Sequence, residues 1–285
     1  MKNDIINKIK AVSIRKEFPD GSGYTSISTE HILNLSATYQ LDGRHIEIAA
    51  LKENIVPEHY ARNMKSYSPE DQSILLNSRV SIVGLGGLGG AVTEILARIG
   101  IGTLILIETE SFEESNLNRQ FLSTYRLLET SKIRAAIKRV REINPVITVK
   151  AHDKCLDDNN AASLVENSDV IVDCLDNIQT RFLLESAAKE VRSPLVSAAV
   201  AGAYGHVMSI FPEDKGLLLI YGDAAVLPQK GAEMSLGCLP HVVVLLAALE
   251  TSEVVKILLK KGSVLKNKLG IIDLMDNIFE VLDLI

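Results

Sequence analysis

Apolar positions along this chain follow two periods, and the chain switches between them repeatedly. “RVSIVGLG” (79–86) and “TLILIE” (103–108) are nearly continuous apolar runs of strand length. Between them Leu88, Ala91, Val92, Ile95, Leu96 and Ile99 recur at helical spacing until “GIG” (100–102) ends the helix. “SKIRAAIKRVREIN” sets Ile133, Ala136, Ile137, Val140 and Ile143 on one helix face. “VITVKAHD”, “DVIVDCLD” and “PLVSAAVAG” read as further strands, and “IQTRFLLESAAKEV” as a helix. Strands alternating with helices predict an α/β fold, a mostly parallel sheet with helices on both faces. The terminal “KLGIIDLMDNIFEVLDL” predicts two antiparallel edge strands turning at Asp276-Asn277. “LPHVVVLLAAL” (239–249) holds His241 and runs into Glu250 and Glu253, so it predicts a buried helix, too short and polar to span a membrane.

Residues 1–56 pattern differently and predict a small α+β or helical appendage ahead of a main domain over 57–285. “AVSIRKEF” and “YTSIST” can pair across the turn-rich “PDGSG”, and “TEHILNLSATYQL” and “RHIEIAALKENI” read as two short helices separated by “DG”. “VPEHYARNMKSYSPEDQ” joins this unit to the rest. The N-terminal “MKNDIINKIKAV” lacks the apolar core of a signal peptide, and a cytoplasmic location is expected.

Composition narrows the chemistry. The chain has 285 residues, 47% apolar, with a net charge of −6, which disfavours a broad nucleic-acid footprint. Cys155, Cys174 and Cys238 are an odd, scattered set, so neither a disulfide framework nor a four-cysteine zinc site is expected.

Gly84, Gly86 and Gly89 fit G-x-G-x-x-G between a strand and a helix, with Gly87 beside them. Glycines there let backbone N–H groups reach an anion at the helix N-terminus, and Glu108 at the end of the next strand can accept from a ribose. This much suits NAD as well as ATP, so an NAD-dependent oxidoreductase and a non-catalytic nucleotide-binding interaction protein are both open readings. “SNLNRQ” (115–120) follows the second strand and brings Ser115, Asn116, Asn118, Arg119 and Gln120; Lys132 opens the next helix. “DCLDN” (173–177) ends a later strand with Asp173, Asp176 and Asn177. Cations suit a polyphosphate, and a carboxylate suits Mg²⁺ among phosphate oxygens, a combination that reads as ATP. Taken one at a time, Lys132 is as well explained as a solvated helix residue, the aspartates as helix caps and Cys174 as a small buried hydrophobe.

“GLGGLGG” (84–90), “SNLNRQ”, Lys132 and “DCLDN” together resemble the MoeB/ThiF/HesA adenylyltransferases of the ubiquitin-activating superfamily, over residue 57 to the C-terminus. The resemblance implies a Rossmann-like domain that binds ATP and Mg²⁺. It implies adenylation of the C-terminal Gly-Gly carboxylate of a small ubiquitin-like sulfur-carrier protein, as in molybdenum (or tungsten) cofactor or thiamin biosynthesis. Carried over by motif, Gly84, Gly86, Gly87 and Gly89 approach the phosphates and Glu108 the ribose. Asn116, Arg119 and Lys132 contact phosphates, Asp176 organises Mg²⁺, and Ser115, Asn118, Gln120 and Asn177 complete the nucleotide site. The family's “R-Y-x-R” segment reads His59-Tyr60-Ala61-Arg62 here, making Arg62 the arginine that acts in trans in a homodimer. Glu108 replaces the family's usual Asp. The paired Cys-x-x-Cys zinc ligands are missing, and residues 211–237 hold no cysteine, so neither zinc nor a thiol nucleophile is expected there. Cys238, at the start of the next helix, is expected to serve packing.

Overall fold

The structure, a computed structural model, describes residues 2–222 and 231–285. The cysteine-free stretch 211–237 therefore lies partly outside the described residues.

The N-terminal part contains α1 (Lys2–Val12), the hairpin β1 (Ile14–Glu17) and β2 (Gly23–Ile27), α2 (Thr29–Tyr39), α3 (Gly43–Lys52) and β3 (Ile55–Pro57). The hairpin and the two helices form where the pattern places them. Ser28 caps α2 by accepting from the His31 amide. The structure adds α1, whose Ile5 and Ile9 lie one turn apart and are both buried, and β3, which pairs parallel to β2. A 3₁₀ turn over Glu58–Asn63 and α4 (Pro69–Asn77) lead into the large sheet. Ile9, Ile32, Ile46, Ile55 and Leu75 join the same apolar core as the large sheet.

The large sheet is built from β4 (Arg79–Val83), β5 (Thr103–Ile107), β6 (Thr148–His152), β7 (Val170–Asp173), β8 (Leu195–Ala201), β9 (Tyr204–Ile210), β10 (Lys268–Asp273) and β11 (Ile278–Asp283). Their order is β11-β10-β9-β8-β7-β4-β5-β6; β4 to β8 are parallel, and β9, β10 and β11 are antiparallel to their neighbours. Strand alternation explains the two layers of helices. Val80, Ile82, Leu104, Leu106, Val170 and Val172 face α5 (Gly87–Ile99), α6 (Lys132–Ile143) and α11 (Pro240–Leu259). Val83, Ile107 and Ile171 face α7 (Ala161–Val165) and α8 (Ile178–Glu190). Two single-turn helices, α9 (Leu218–Tyr221) and α10 (Glu233–Leu236), lie between β9 and α11 in the chain. The C-terminal hairpin β10–β11 forms as predicted around Asp276-Asn277. β9, absent from the sequence reading, is the return partner of β8.

The chain leaves β4 in one direction to β5 and β6 and then crosses to β7 on the other side. Ligand crevices form at such a reversal, at the carboxyl ends of the strands.

Candidate functional site

A cleft of about 980 Å³ opens at the carboxyl ends of β4, β5 and β7. Its floor is the turn from β4 into α5. Gly84 turns the chain there with φ +88°, and a side chain on it would meet the Cys174 carbonyl at 2.7 Å. Gly89 lies inside α5, where a Cβ would stand 1.8 Å from the Gly84 carbonyl oxygen, so it holds helix against strand. Gly86 differs: a Cβ there would meet nothing nearer than Gln120 Nε2 at 3.8 Å, and the space above it belongs to the cleft. Gly87 also lines the cleft, beneath the Arg119 side chain.

Glu108 closes one side. Its Oε2 accepts from the Leu85 amide at 2.9 Å, and its Oε1 from the Thr109 and Glu110 amides at 2.7 and 2.9 Å. The carboxylate is thus pinned to the glycine turn, with one lone pair on Oε2 left for a hydroxyl. The segment after β5 also lines the cleft. Asn116 Oδ1 accepts from the Glu113 amide and closes a 3₁₀ turn, which projects Ser115 and Arg119 into the cleft. Arg119 Nη1 donates to the Ser115 carbonyl and to Asn118 Oδ1, both at 2.9 Å. Gln120 is buried against the cleft with its Oε1 unpartnered. A buried amide end without a partner fits a site completed by a polar ligand.

Lys132 reaches the cleft from the start of α6. Its side chain is 4% exposed, and its Nζ is 2.5 Å from the exposed Glu110 carboxylate. At the end of β7 the two aspartates separate in role. Asp173 is buried: Oδ2 takes Arg181 at 3.0 Å and the Ser197 hydroxyl at 2.7 Å, while Oδ1 takes the Leu175 amide. Asp176 is exposed and lines the cleft. It is the carboxylate of “DCLDN” that is open to the cleft, whereas Asp173 is committed to Arg181. Asn177 caps α8 by accepting from the Thr180 amide at 3.0 Å.

The structure therefore brings Gly84, Gly86, Gly87, Glu108, Ser115, Asn116, Arg119, Gln120, Lys132 and Asp176 to one cleft. Gly89, Asn118, Asn177 and Arg62 do not line it. Gly89 packs helix on strand, Asn118 braces Arg119 from outside, and Asn177 is a cap. Arg62 is exposed on the 3₁₀ turn, beside the fully buried Tyr60 that takes a hydrogen bond from Asn144 at 2.7 Å.

Among the lining residues that escaped the sequence reading are Lys154, Cys155 and Arg181. Lys154 and Cys155 follow β6 and reach the cleft only because β6 lies beside β5. Arg181 did leave a signal. It stands in the apolar stripe of α8 with Ile178, Leu184 and Ala188, where an arginine requires a buried partner. Its Nη1 also donates to the Ala198 carbonyl at 2.7 Å, and Nη2 to the Leu175 carbonyl. Burial pulls the guanidinium down, but Asp173 together with Tyr221, Glu250 and Cys174 more than offsets this, so Arg181 is held charged above its ordinary value. Nearby, burial and Asp173 push the Glu250 carboxyl well up, and burial with Glu250 pushes the Cys174 thiol well up, which leaves that thiol unreactive.

Glycine amides, two cations and an exposed carboxylate lining one cleft suit a nucleoside triphosphate. A dinucleotide would leave Arg119, Lys132 and Asp176 without a role.

The ThiF family profile matches residues 60–284. The SAMP-activating enzyme E1 of Haloferax volcanii is 33% identical over 228 residues, which are 78% of this chain and 83% of that one. Molybdopterin-synthase adenylyltransferase of Haemophilus influenzae is 31% identical over 212 residues, 74% of this chain and 86% of the relative. Among solved structures, E. coli MccB superposes with a TM-score of 0.71 at 19% identity, covering 99% of this chain and 85% of MccB.

Proposed function

Because this chain belongs to the ThiF family and is an adenylyltransferase of that type, we propose that it activates the C-terminal carboxylate of a small protein with ATP. The acceptor is a ubiquitin-like sulfur carrier ending in Gly-Gly, of the molybdopterin, tungstopterin or thiamin type. One carboxylate oxygen attacks the α-phosphorus. The bond to the bridging oxygen breaks, and pyrophosphate leaves with the electron pair. A C-terminal carboxylate is already ionised at pH 7, so the step needs no general base. Both reactants are anions, and the work lies in positioning them and neutralising charge. The glycine turn presents its amides to the phosphates, Glu108 holds the ribose, and Arg119 and Lys132 meet the phosphate oxygens. Asp176 would hold Mg²⁺, which would supply positive charge to the same oxygens when bound. Arg62 completes the site in trans from the second subunit of a homodimer, and residues 1–56 form an appendage on the 57–285 catalytic domain.

The observation that carries this reading is that Arg119, Lys132, the exposed Asp176 and Glu108 all line the cleft above the glycine turn. Carrier-dependent exchange of labelled pyrophosphate into ATP tests it. Arg119→Ala and Asp176→Ala should stay folded and lose about 10²- to 10³-fold in exchange. Undiminished exchange in Asp176→Ala contradicts the assignment.

A second reading gives the same chemistry to the C-terminus of a short peptide. The appendage favours it. The fold likeness to E. coli MccB runs through α1–β3 as well as the large sheet, and an MccB structure in complex with N-formylated MccA is similar over 99% of this chain at TM-score 0.69 and 19% identity.

A further inference from the structure

A second pocket, of about 290 Å³, adjoins the cleft. The two share Asp176, Arg181 and Val200, so they meet where the proposed reaction takes place. Ala199, His206 and Ile271 form one row across β8, β9 and β10, on the face covered by α8. Ile178, Leu269 and Ile272 add to a mostly apolar wall, with Asp176 and Arg181 at the border shared with the cleft.

Little in this pocket binds charge. Arg181 borders it, but its guanidinium is engaged by Asp173, Ser197 and the carbonyls of Ala198 and Leu175. His206 Nε2 lies 3.3 Å from the Tyr221 hydroxyl, and burial together with Arg181 pulls the imidazole down to about 4, so it is neutral at pH 7. Among the described residues a phosphate finds no donor set here, and a polar side chain would lose its hydration without a matching partner. A tail of two glycines leaves the pocket unfilled.

Resting on the adenylation reading above, we infer that this pocket receives an apolar side chain of the acceptor, carried within two residues of the reactive carboxylate. The inference takes the second, short-peptide form of that reading over a carrier ending in bare Gly-Gly, and the acceptor's identity is read beside Asp176. The selecting wall is Ala199, His206 and Ile271, separate from the groups that hold the nucleotide.

Stable acyl-adenylate mimics test this without a known acceptor. 5′-O-(N-acylsulfamoyl)adenosines carrying Gly, Gly-Gly, Leu, Leu-Gly or Asp are titrated calorimetrically into the full chain. The Gly compound reports the nucleotide site alone. The Leu or Leu-Gly compound should bind at least about tenfold tighter than its all-glycine counterpart, as expected for burying one such side chain, and the Asp compound should show no gain. Ala199→Leu narrows the pocket from β8 and Ala201→Leu does so one row away. Each should abolish the gain and leave affinity for the Gly compound unchanged. Equal binding of the Gly and Leu series, or a gain that survives both variants, overturns the inference. Failure of every adenosine compound to bind, the Gly one included, overturns the adenylation reading and this inference with it.

Discussion

Two glycines three residues apart should fail in opposite ways when each gains one methyl group. In Gly89→Ala the new carbon would lie 1.8 Å from the Gly84 carbonyl oxygen, 2.8 Å from its carbon and 3.2 Å from Cys174 Cβ. Normal contact needs more than an ångström of extra room. The obstacles are backbone, so α5 must lift from β4 and loosen Val92 and Leu96, both fully buried. Overpacking of this kind costs about 3 kcal/mol or more. For a domain of this size that corresponds to a Tm lower by roughly 6–12 °C. In Gly86→Ala the methyl group would have 3.8 Å to its nearest neighbour, so the fold should tolerate it, with Tm within about 2 °C of the parent. It would stand where phosphates approach the amides of α5, and affinity for Mg-ATP should fall at least about tenfold. Thermal unfolding by circular dichroism and titration calorimetry with Mg-ATP read the two effects separately. The reasoning is refuted if Gly86→Ala binds Mg-ATP like the parent, or if Gly89→Ala unfolds at the parent temperature.

Three further outcomes are expected. Arg181→Met strands the buried Asp173 and should cost about 3–5 kcal/mol in urea unfolding, while adding Asp173→Asn should recover most of the loss; no recovery would show that the two do not act as a pair. His206, depressed from 6.5 to about 4, refuses a proton that the unfolded chain accepts. Its contribution is therefore intact above pH 6.5 and is lost as pH falls toward 4, by roughly 3 kcal/mol in all, and His206→Gln should flatten that slope in pH-dependent unfolding. Glu110→Gln releases Lys132 from an ion pair whose acidic partner is 68% exposed, and calorimetry should show Mg-ATP binding about two- to fivefold tighter; unchanged affinity would mean that Lys132 never leaves Glu110 for a phosphate.

The parallel core of the fold was legible because β4, β5 and β7 are buried on both faces and α5 and α6 carry clean helical stripes. The glycine turn, Glu108 and the “SNLNRQ” segment were legible because each sits at a strand end. β9 was not: “PLVSAAVAGAYGHVMSIF” is one long apolar run, and the reversal at Gly202 has no polar residues to mark it. α1 was missed because only a few isoleucines in a charged segment turn inward. The strand order is set by long-range contacts, which is why Lys154 and Cys155 could not be placed at the cleft. The division of labour between Asp173 and Asp176 depends on Arg181 lying one helical turn beyond Asn177 and reaching back under the sheet. Spacing alone left both aspartates open as helix caps, and only the buried Arg181 partner separates Asp173 from the exposed Asp176.

Calorimetric titration of the protein with ATP and with NAD, each with and without Mg²⁺, tests most directly whether the cleft holds a triphosphate. ATP should bind in a Mg²⁺-dependent manner and weaken in Arg119→Ala, with no heat from NAD. Binding of NAD together with indifference to ATP would contradict the account.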